Sequence, residues 1–167
     1  MARPDQVEAW ADSYGREIHA YLWRMLGDPQ DAEDGLQETF LRALRHRSPS
    51  PILEPRAWLY AIAGNVARSQ FRRRRKDWDP GAPVDVEAAA PDDVAERDRL
   101  EAVRRVVESL PPKQRQALLL RRYQGLSYKD VAKVLGSNAQ AARANVYQAV
   151  LRVEKFRDSA GKRNGVI

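Results

Sequence analysis

The chain has 167 residues, enough for one domain or two small ones, and carries 29 Lys and Arg against 23 Asp and Glu, a net charge of +6. It has no cysteine, which excludes disulfides, thiolate nucleophiles and cysteine-ligated metals. No run of about 18 apolar residues is available to span a bilayer, and Met1-Ala-Arg-Pro-Asp5 lacks the apolar segment of a leader, so a cytoplasmic protein with a polyanionic partner is expected.

Helical periodicity begins at Val7 and runs to Met25. Val7, Trp10, Ala11, Tyr14, Ile18, Tyr21, Leu22 and Met25 fall on one side. Gly27-Asp-Pro29 interrupts it. A second helix is expected from Asp31 to about Arg45, with Leu36, Phe40, Leu41 and Leu44 apolar and acids near its start to suit the helix dipole. Asp34, Gln37, Glu38 and Leu41 share one face of it. Such an acidic face fits a partner surface or a solvated one. Paired carboxylates also serve acid–base catalysis or metal binding, but no His, Lys or second acidic cluster is placed to complete such a site, and no enzymatic activity, cofactor or metal is expected. His19 and His46 lie in separate segments and read as ordinary helix residues.

Ser48 to Pro55 reads as a loop, because its prolines cannot continue a helix. A third helix follows from about Arg56 to Lys76, with Trp58, Leu59, Ile62, Ala63 and Val66 on a core face. It ends in five consecutive cations, Arg72, Arg73, Arg74, Arg75 and Lys76. That exceeds what the helix dipole rewards and can neutralise several phosphates. Trp58, Tyr60 and Phe71 stand beside this track, as aromatic platforms do for single-stranded nucleic acid, although Trp58 fits the core face better. A base turned out of the stack would be held more readily by the irregular loop 48–55.

Charge divides the chain. Residues 1–76 hold 13 basic and 10 acidic residues, residues 77–98 hold 1 and 8, and residues 99–167 hold 15 and 5. The acidic stretch is rich in proline and poor in apolar residues, so residues 78–96 are expected to form a flexible linker. Two small helical domains, 4–77 and 97–158, then flank it in an all-α chain.

After the linker, helices are expected at about 97–109, 112–124, 127–135 and 139–157. Pro111-Pro112 supplies a stop and a start. Ser127 and Asp130 have capping-box spacing, Gly136 stands where a helix end favours positive φ, and Asn138 can cap the next helix. The last helix is expected to bury Ala142, Val146, Ala149, Val150 and Val153, leaving Gln140, Arg143, Ala144 and Tyr147 outward. Two short helices with a glycine turn and a polar leading face make a helix-turn-helix, whose second helix enters the DNA major groove. On that geometry Gln140 suits adenine, Arg143 suits guanine and Ala144 can meet a thymine methyl, with Ala141 and Tyr147 adjoining. Arg122, Lys129 and Arg152 fit phosphates.

Five segments together resemble the bacterial sigma-70 family of RNA polymerase initiation factors, in its extracytoplasmic-function (ECF) group. They are Asp31-Ala-Glu-Asp34…Gln37-Glu-Thr-Phe40-Leu-Arg-Ala, Pro55-Arg-Ala-Trp-Leu-Tyr60-Ala-Ile-Ala-Gly-Asn65, the Arg72–Lys76 run, Leu110-Pro-Pro-Lys-Gln-Arg-Gln-Ala-Leu-Leu-Leu120-Arg, and Gly125-Leu-Ser-Tyr-Lys-Asp-Val-Ala-Lys-Val-Leu-Gly136. The resemblance implies that Asp31, Asp34, Gln37, Glu38, Phe40 and Leu41 dock on the β′ clamp coiled coil of core RNA polymerase. It places Asn65, Arg68, Arg72, Arg73, Arg74 and Arg75 at the minus-ten element as its non-template strand opens. The helix after Asn138 would read the minus-thirty-five element, the last domain would meet the β flap, and an anti-sigma factor is the usual regulator. The chain departs from the family at Ser69, where an acid is frequent, at Gly35, where a large aliphatic is usual, and in the recognition helix, whose Gln140 to Gln148 window keeps only Arg143 as a charge. Rival readings are a two-domain repressor or activator acting on duplex DNA alone, a purely protein-binding anti-sigma or adaptor protein, which leaves the five cations unexplained, and a helical-bundle enzyme, for which the sequence offers no polar constellation.

Overall fold

The computed structural model describes residues 4–47, 50–77 and 94–163, with side chains described at 4–47, 50–73 and 97–159. The described residues form seven α-helices: α1 (Pro4–Leu26), α2 (Pro29–Arg45), α3 (Pro55–Asp77), α4 (Val94–Ser109), α5 (Pro112–Arg122), α6 (Tyr128–Leu135) and α7 (Ala139–Arg163). None of them is long and apolar enough to cross a membrane. Residues 78–93 of the expected linker lie outside the described residues, and 94–96 belong to α4 instead. Ser48 and Pro49 of the expected loop, and the side chains of Arg74 and Arg75, also lie outside them.

The first three helices pack on one another, and α7 gathers α4, α5 and α6. α1 buries Val7, Ile18, Tyr21, Leu22 and Met25 at helical spacing. Side chains as fully buried as Ile18, Leu22, Met25 and Leu59 each stabilise by about 1.5–3 kcal/mol. The turn between α1 and α2 differs from expectation. Asp28, not Asp31, caps α2: its carboxylate accepts from the Asp31 backbone N–H at 2.9 Å, and Pro29 takes the first helical position.

α2 makes its closest contact through residues other than its leucines. Its contact stripe is Ala32, Gly35, Thr39 and Ala43, small residues that let the backbone approach α1 closely. Leu41 and Leu44 are therefore displaced to the surface, 43% and 40% exposed. Thr39 is tolerated at full burial because its hydroxyl donates to the Gly35 carbonyl at 2.7 Å. At Gly35 a Cβ would touch both Leu22 methyls, at 3.4 and 3.5 Å. Leu22 thus fills the space that a larger residue at 35 would need.

The two helical groups do not stand apart. One apolar cluster runs from Val7, Tyr21 and Leu59 in the first to Leu119, Val131 and Val146 in the second. α6 packs against α3 and α5 against α1.

Candidate nucleic-acid interface and the contact between its two halves

The helix-turn-helix forms as its sequence requires. Ser127 Oγ accepts from the Asp130 backbone N–H at 3.1 Å and donates to the Asp130 carboxylate at 2.7 Å, which satisfies an otherwise orphaned helix-start donor. Gly136 ends α6 in the left-handed region, φ 61°. Asn138 then starts α7 by accepting from the Ala141 N–H at 2.8 Å. Val131, Val134 and Leu135 of α6, with Ala142, Val146 and Ala149 of α7, are buried between the helices, while Val150 and Val153 are half-buried. This fixes the phase of α7. Gln140, Arg143, Ala144 and Tyr147 are exposed together and Ala141 is half-buried beside them, with Tyr147 61% exposed. Arg122, Lys129 and Arg152 are exposed as well.

Asn65, Arg68 and Arg72 lie about one helical turn apart on α3, with Arg73 next to Arg72. Asn65, Arg72 and Arg73 are exposed, and Arg68 is half-buried. Arg68 donates to the Asn65 side-chain oxygen, and Arg72 donates to Ser69 Oγ at 3.3 Å. Ser69 gives this track a neutral partner. At the start of the helix, residues 50–54 border a cleft of about 500 Å³ with His46, Trp58 and Ala61 on its walls. None of the three aromatics beside the track is exposed. Tyr60 is fully buried, its ring meeting Tyr21 edge to face at 5.3 Å. Phe71 packs on the core with the Arg115 guanidinium 5.4 Å from its ring centre. Trp58 is wedged between Trp10 and His46, at 5.8 and 5.0 Å. Helical spacing carries Tyr60 fully inward and leaves Trp58 and Phe71 half-buried.

On α2, Asp34, Gln37 and Leu41 are exposed and Asp31 and Glu38 are half-buried on the acidic face. Asp34 accepts from Gln30 at 3.2 Å. Glu38 pairs with Arg42 at 2.6 Å, and this hydrogen bond holds its carboxyl below the usual glutamate range, despite some opposing desolvation. Phe40 differs from the rest: it packs against the core.

Side chains from both groups of helices join the halves, the minus-ten candidate Arg68 among them. Arg56 donates to both Glu17 oxygens, at 2.8 and 2.9 Å, and to the Gln124 carbonyl at 2.7 Å. The Tyr60 hydroxyl donates to Gln124 Oε1 at 3.0 Å. Arg68 donates to Gln116 Oε1 at 2.7 Å, Arg115 donates to the Arg24 carbonyl at 2.6 Å, and Lys133 pairs with Glu54 at the rim of the cleft. Gly64 makes the approach possible, because a Cβ there would lie 1.9 Å from Gln116 Nε2. A glycine inside a helix costs about 0.5–1 kcal/mol relative to alanine, and such a cost has a packing reason here. That unexplained helix glycine was the only sequence signal of the contact.

A capped helix-turn-helix with an outward polar face, beside a second helix lined with cations, defines a two-part, all-helical DNA-binding protein. Comparison with known proteins identifies its kind. Sigma-70 region 2 matches residues 10–77 and sigma-70 region 4 matches residues 100–153. The chain belongs to the sigma-70 family, and its relatives place it in the ECF group of transcription initiation factors. It is 35% identical over 147 residues to the ECF RNA polymerase sigma factor BldN of Streptomyces coelicolor, covering 83% of this chain but 55% of BldN. It is 32% identical to the RNA polymerase sigma-H factor of Pseudomonas aeruginosa, covering 85% of this chain and 81% of that one. The fold is similar to that of the sigma factor RpoE, solved with the anti-sigma factor NepR from Bartonella quintana, with a TM-score of 0.69 at 24% identity over 90% of this chain and 96% of that one.

Proposed function

We propose that this sigma factor gives core RNA polymerase its preference for one class of promoter and helps open the duplex there. The observation that carries the reading is the joint exposure of Gln140, Arg143, Ala144 and Tyr147 on a helix whose phase is fixed by burial of the opposite face. In the minus-thirty-five major groove, Gln140 and Arg143 would meet base edges, Ala141, Ala144 and Tyr147 would adjoin them, and Arg122, Lys129 and Arg152 would hold phosphates. Asn65, Arg68 and Arg72 to Arg75 would engage the minus-ten element. The cleft beside residues 50–54 would receive an unstacked base, offsetting part of the few kcal/mol that unstacking costs. Asp31, Asp34, Gln37, Glu38 and Leu41 would dock on the β′ clamp coiled coil, with Phe40 supporting that face from beneath, and the last domain would contact the β flap.

Reading both elements at once requires the halves to part. Elements about 25 base pairs apart are separated by roughly 85 Å along B-form DNA, whereas here α6 lies against α3. An anti-sigma factor that favours the closed arrangement is the partner we propose as regulator, in the cytoplasm.

The test is run-off transcription with purified core polymerase on a promoter library, with and without the protein. Starts that appear only on its addition, from a shared sequence, establish the reading. Absence of starts together with tight duplex binding by the protein alone would replace it with a repressor or activator.

A further inference from the structure

We infer that Tyr128 is a positioning residue for promoter specificity: its ring holds the Arg143 guanidinium ready for a guanine edge. The inference rests on the reading of Arg143 as a base reader. Tyr128 is the first residue of α6, directly after the Ser127 cap, and Arg143 is in α7. The Arg143 guanidinium carbon lies 5.2 Å from the Tyr128 ring centre, within the range of a cation–π contact. The ring itself is held in two ways. It packs against the apolar core, and the Arg121 guanidinium lies 4.7 Å from its centre. Arg121 is in turn fixed by donating to the Leu126 carbonyl at 3.0 Å. A chain of contacts therefore runs from the loop before α6 to the tip of the recognition helix.

The consequence is physical. A long exposed arginine samples many rotamers, and ordering it on binding costs free energy. A ring contact orders it beforehand, and a cation–π contact uses up no N–H donor in a hydrogen bond. Among the described residues Arg143 makes no hydrogen bond or ion pair. Its fork is thus open for the O6 and N7 acceptors of guanine, which need two donors in fixed geometry. Arg143 is the only charge in the Gln140–Gln148 window, so its orientation weighs more here than it would in a helix with several cations.

The test compares wild-type protein, Arg143→Ala, Tyr128→Phe, Tyr128→Leu and the Tyr128→Leu/Arg143→Ala double variant, each as full chain with core polymerase on the promoter library. The readout is base preference at the position that Arg143→Ala relaxes. Tyr128→Phe keeps the ring and should hold the preference within about twofold. Tyr128→Leu keeps apolar volume but not the ring and should lower the preference about 3–10-fold, with no change in salt slope. The double variant should lose no more than Arg143→Ala alone. A uniform loss on all sequences with Tyr128→Leu, or an unchanged preference, overturns the positioning role. If Arg143→Ala relaxes no position, the base-reading premise itself fails, and that result is distinct. A measurement without substitution guards against misfolded variants: in the wild-type protein the Arg143 Nε–H resonance should be ring-current shifted and rigid, and a mobile, unshifted one refutes the contact.

Discussion

Arg68 and Gln116 are joined by a 2.7 Å hydrogen bond that ties the middle of α3 to the first turns of α5. Gln116 is fully buried, and its amide occupies the space above Gly64. An expected minus-ten residue is thus held by the opposite half of the molecule while the halves are closed. Gly64→Ala gains helix propensity but drives a methyl into the Gln116 amide. Overpacking of this kind costs about 1–3 kcal/mol, so a net loss of stability is expected in chemical denaturation. Gln116→Ala in the same chain removes the obstruction, and the double variant should be more stable than the two single losses add up to. Additive losses would mean that Gly64 and Gln116 do not meet. Gly64→Arg should part the halves, raising the radius of gyration in solution scattering above the roughly 15 Å of a compact chain this long.

Arg56 provides a second, independent tie. Its guanidinium makes a two-bond fork to Glu17 and a third bond across to the Gln124 carbonyl. The fork with Glu17 holds its proton more firmly than usual, against the desolvation that opposes it. Hydrogen bonds to charged groups contribute about 1.5–3 kcal/mol, and partial exposure of this pair, 39% and 28%, places Arg56→Ala at the lower end, about 1.5 kcal/mol. Arg56→Lys should recover little of it, because an ammonium cannot make the fork. Full recovery by lysine in thermal melts would show that charge alone matters.

Much of this arrangement was legible in the sequence, and the reasons differ by element. Caps are local: Ser127, Gly136 and Asn138 act within four residues of where they stand, so the helix-turn-helix and the exposed face of α7 followed from spacing. The contact stripe of α2 did not, because Ala32, Gly35, Thr39 and Ala43 pack by being small and carry little hydrophobic signal. The contact between halves was the least visible. Arg68 and Gln116 are 48 positions apart, and nothing local to either residue names the other. The burial of Tyr60 is invisible locally for the same reason: its hydroxyl partner, Gln124, lies in the other half.

Two buried phenols set an alkaline limit to stability. Burial holds Tyr21 well above the ordinary tyrosine value, offset only in part by the neighbouring Gln116 amide. Burial, with Glu17 nearby, does the same to Tyr60. Both therefore keep their protons in the folded state after the unfolded chain begins to lose them near pH 10. Below that pH both states are protonated and the contribution is fully present. Above it the unfolded state binds fewer protons, and stability falls with rising pH by about 1.4 kcal/mol per unit for each phenol. Denaturation midpoints between pH 9 and 11 should decline, and Tyr21→Phe should decline less steeply. Equal slopes would remove Tyr21 as a cause.

The helix-turn-helix depends on its caps more than on its length, since α6 has only eight residues. An isolated helix so short is unstable in water. Ser127→Ala and Asn138→Ala each remove a side-chain acceptor from a helix start and should each cost about 1 kcal/mol. Hydrogen exchange localises the effect: protection should fall in α6 and α7, with α1 and α2 unchanged. A loss spread evenly over the chain would indicate global unfolding as the only route of opening.

The cations of α3 offer a test that separates phosphate contact from base contact. Arg72 and Arg73 are exposed at the end of the described track, and the residue at 69 beside Arg72 is a neutral serine. Each phosphate neutralised releases counterions, so affinity falls with salt in proportion to the number of such contacts. With the proposed promoter complex, Arg72→Ala and Arg73→Ala should each flatten the salt dependence by about one charge and weaken all promoters alike. Arg143→Ala should instead relax one position in the minus-thirty-five element and cost roughly 1–3 kcal/mol on the preferred sequence alone. If Arg73→Ala leaves the salt slope unchanged, that residue faces solvent in the complex, and its nearby role is the electrostatic one it has here toward Glu38 on α2.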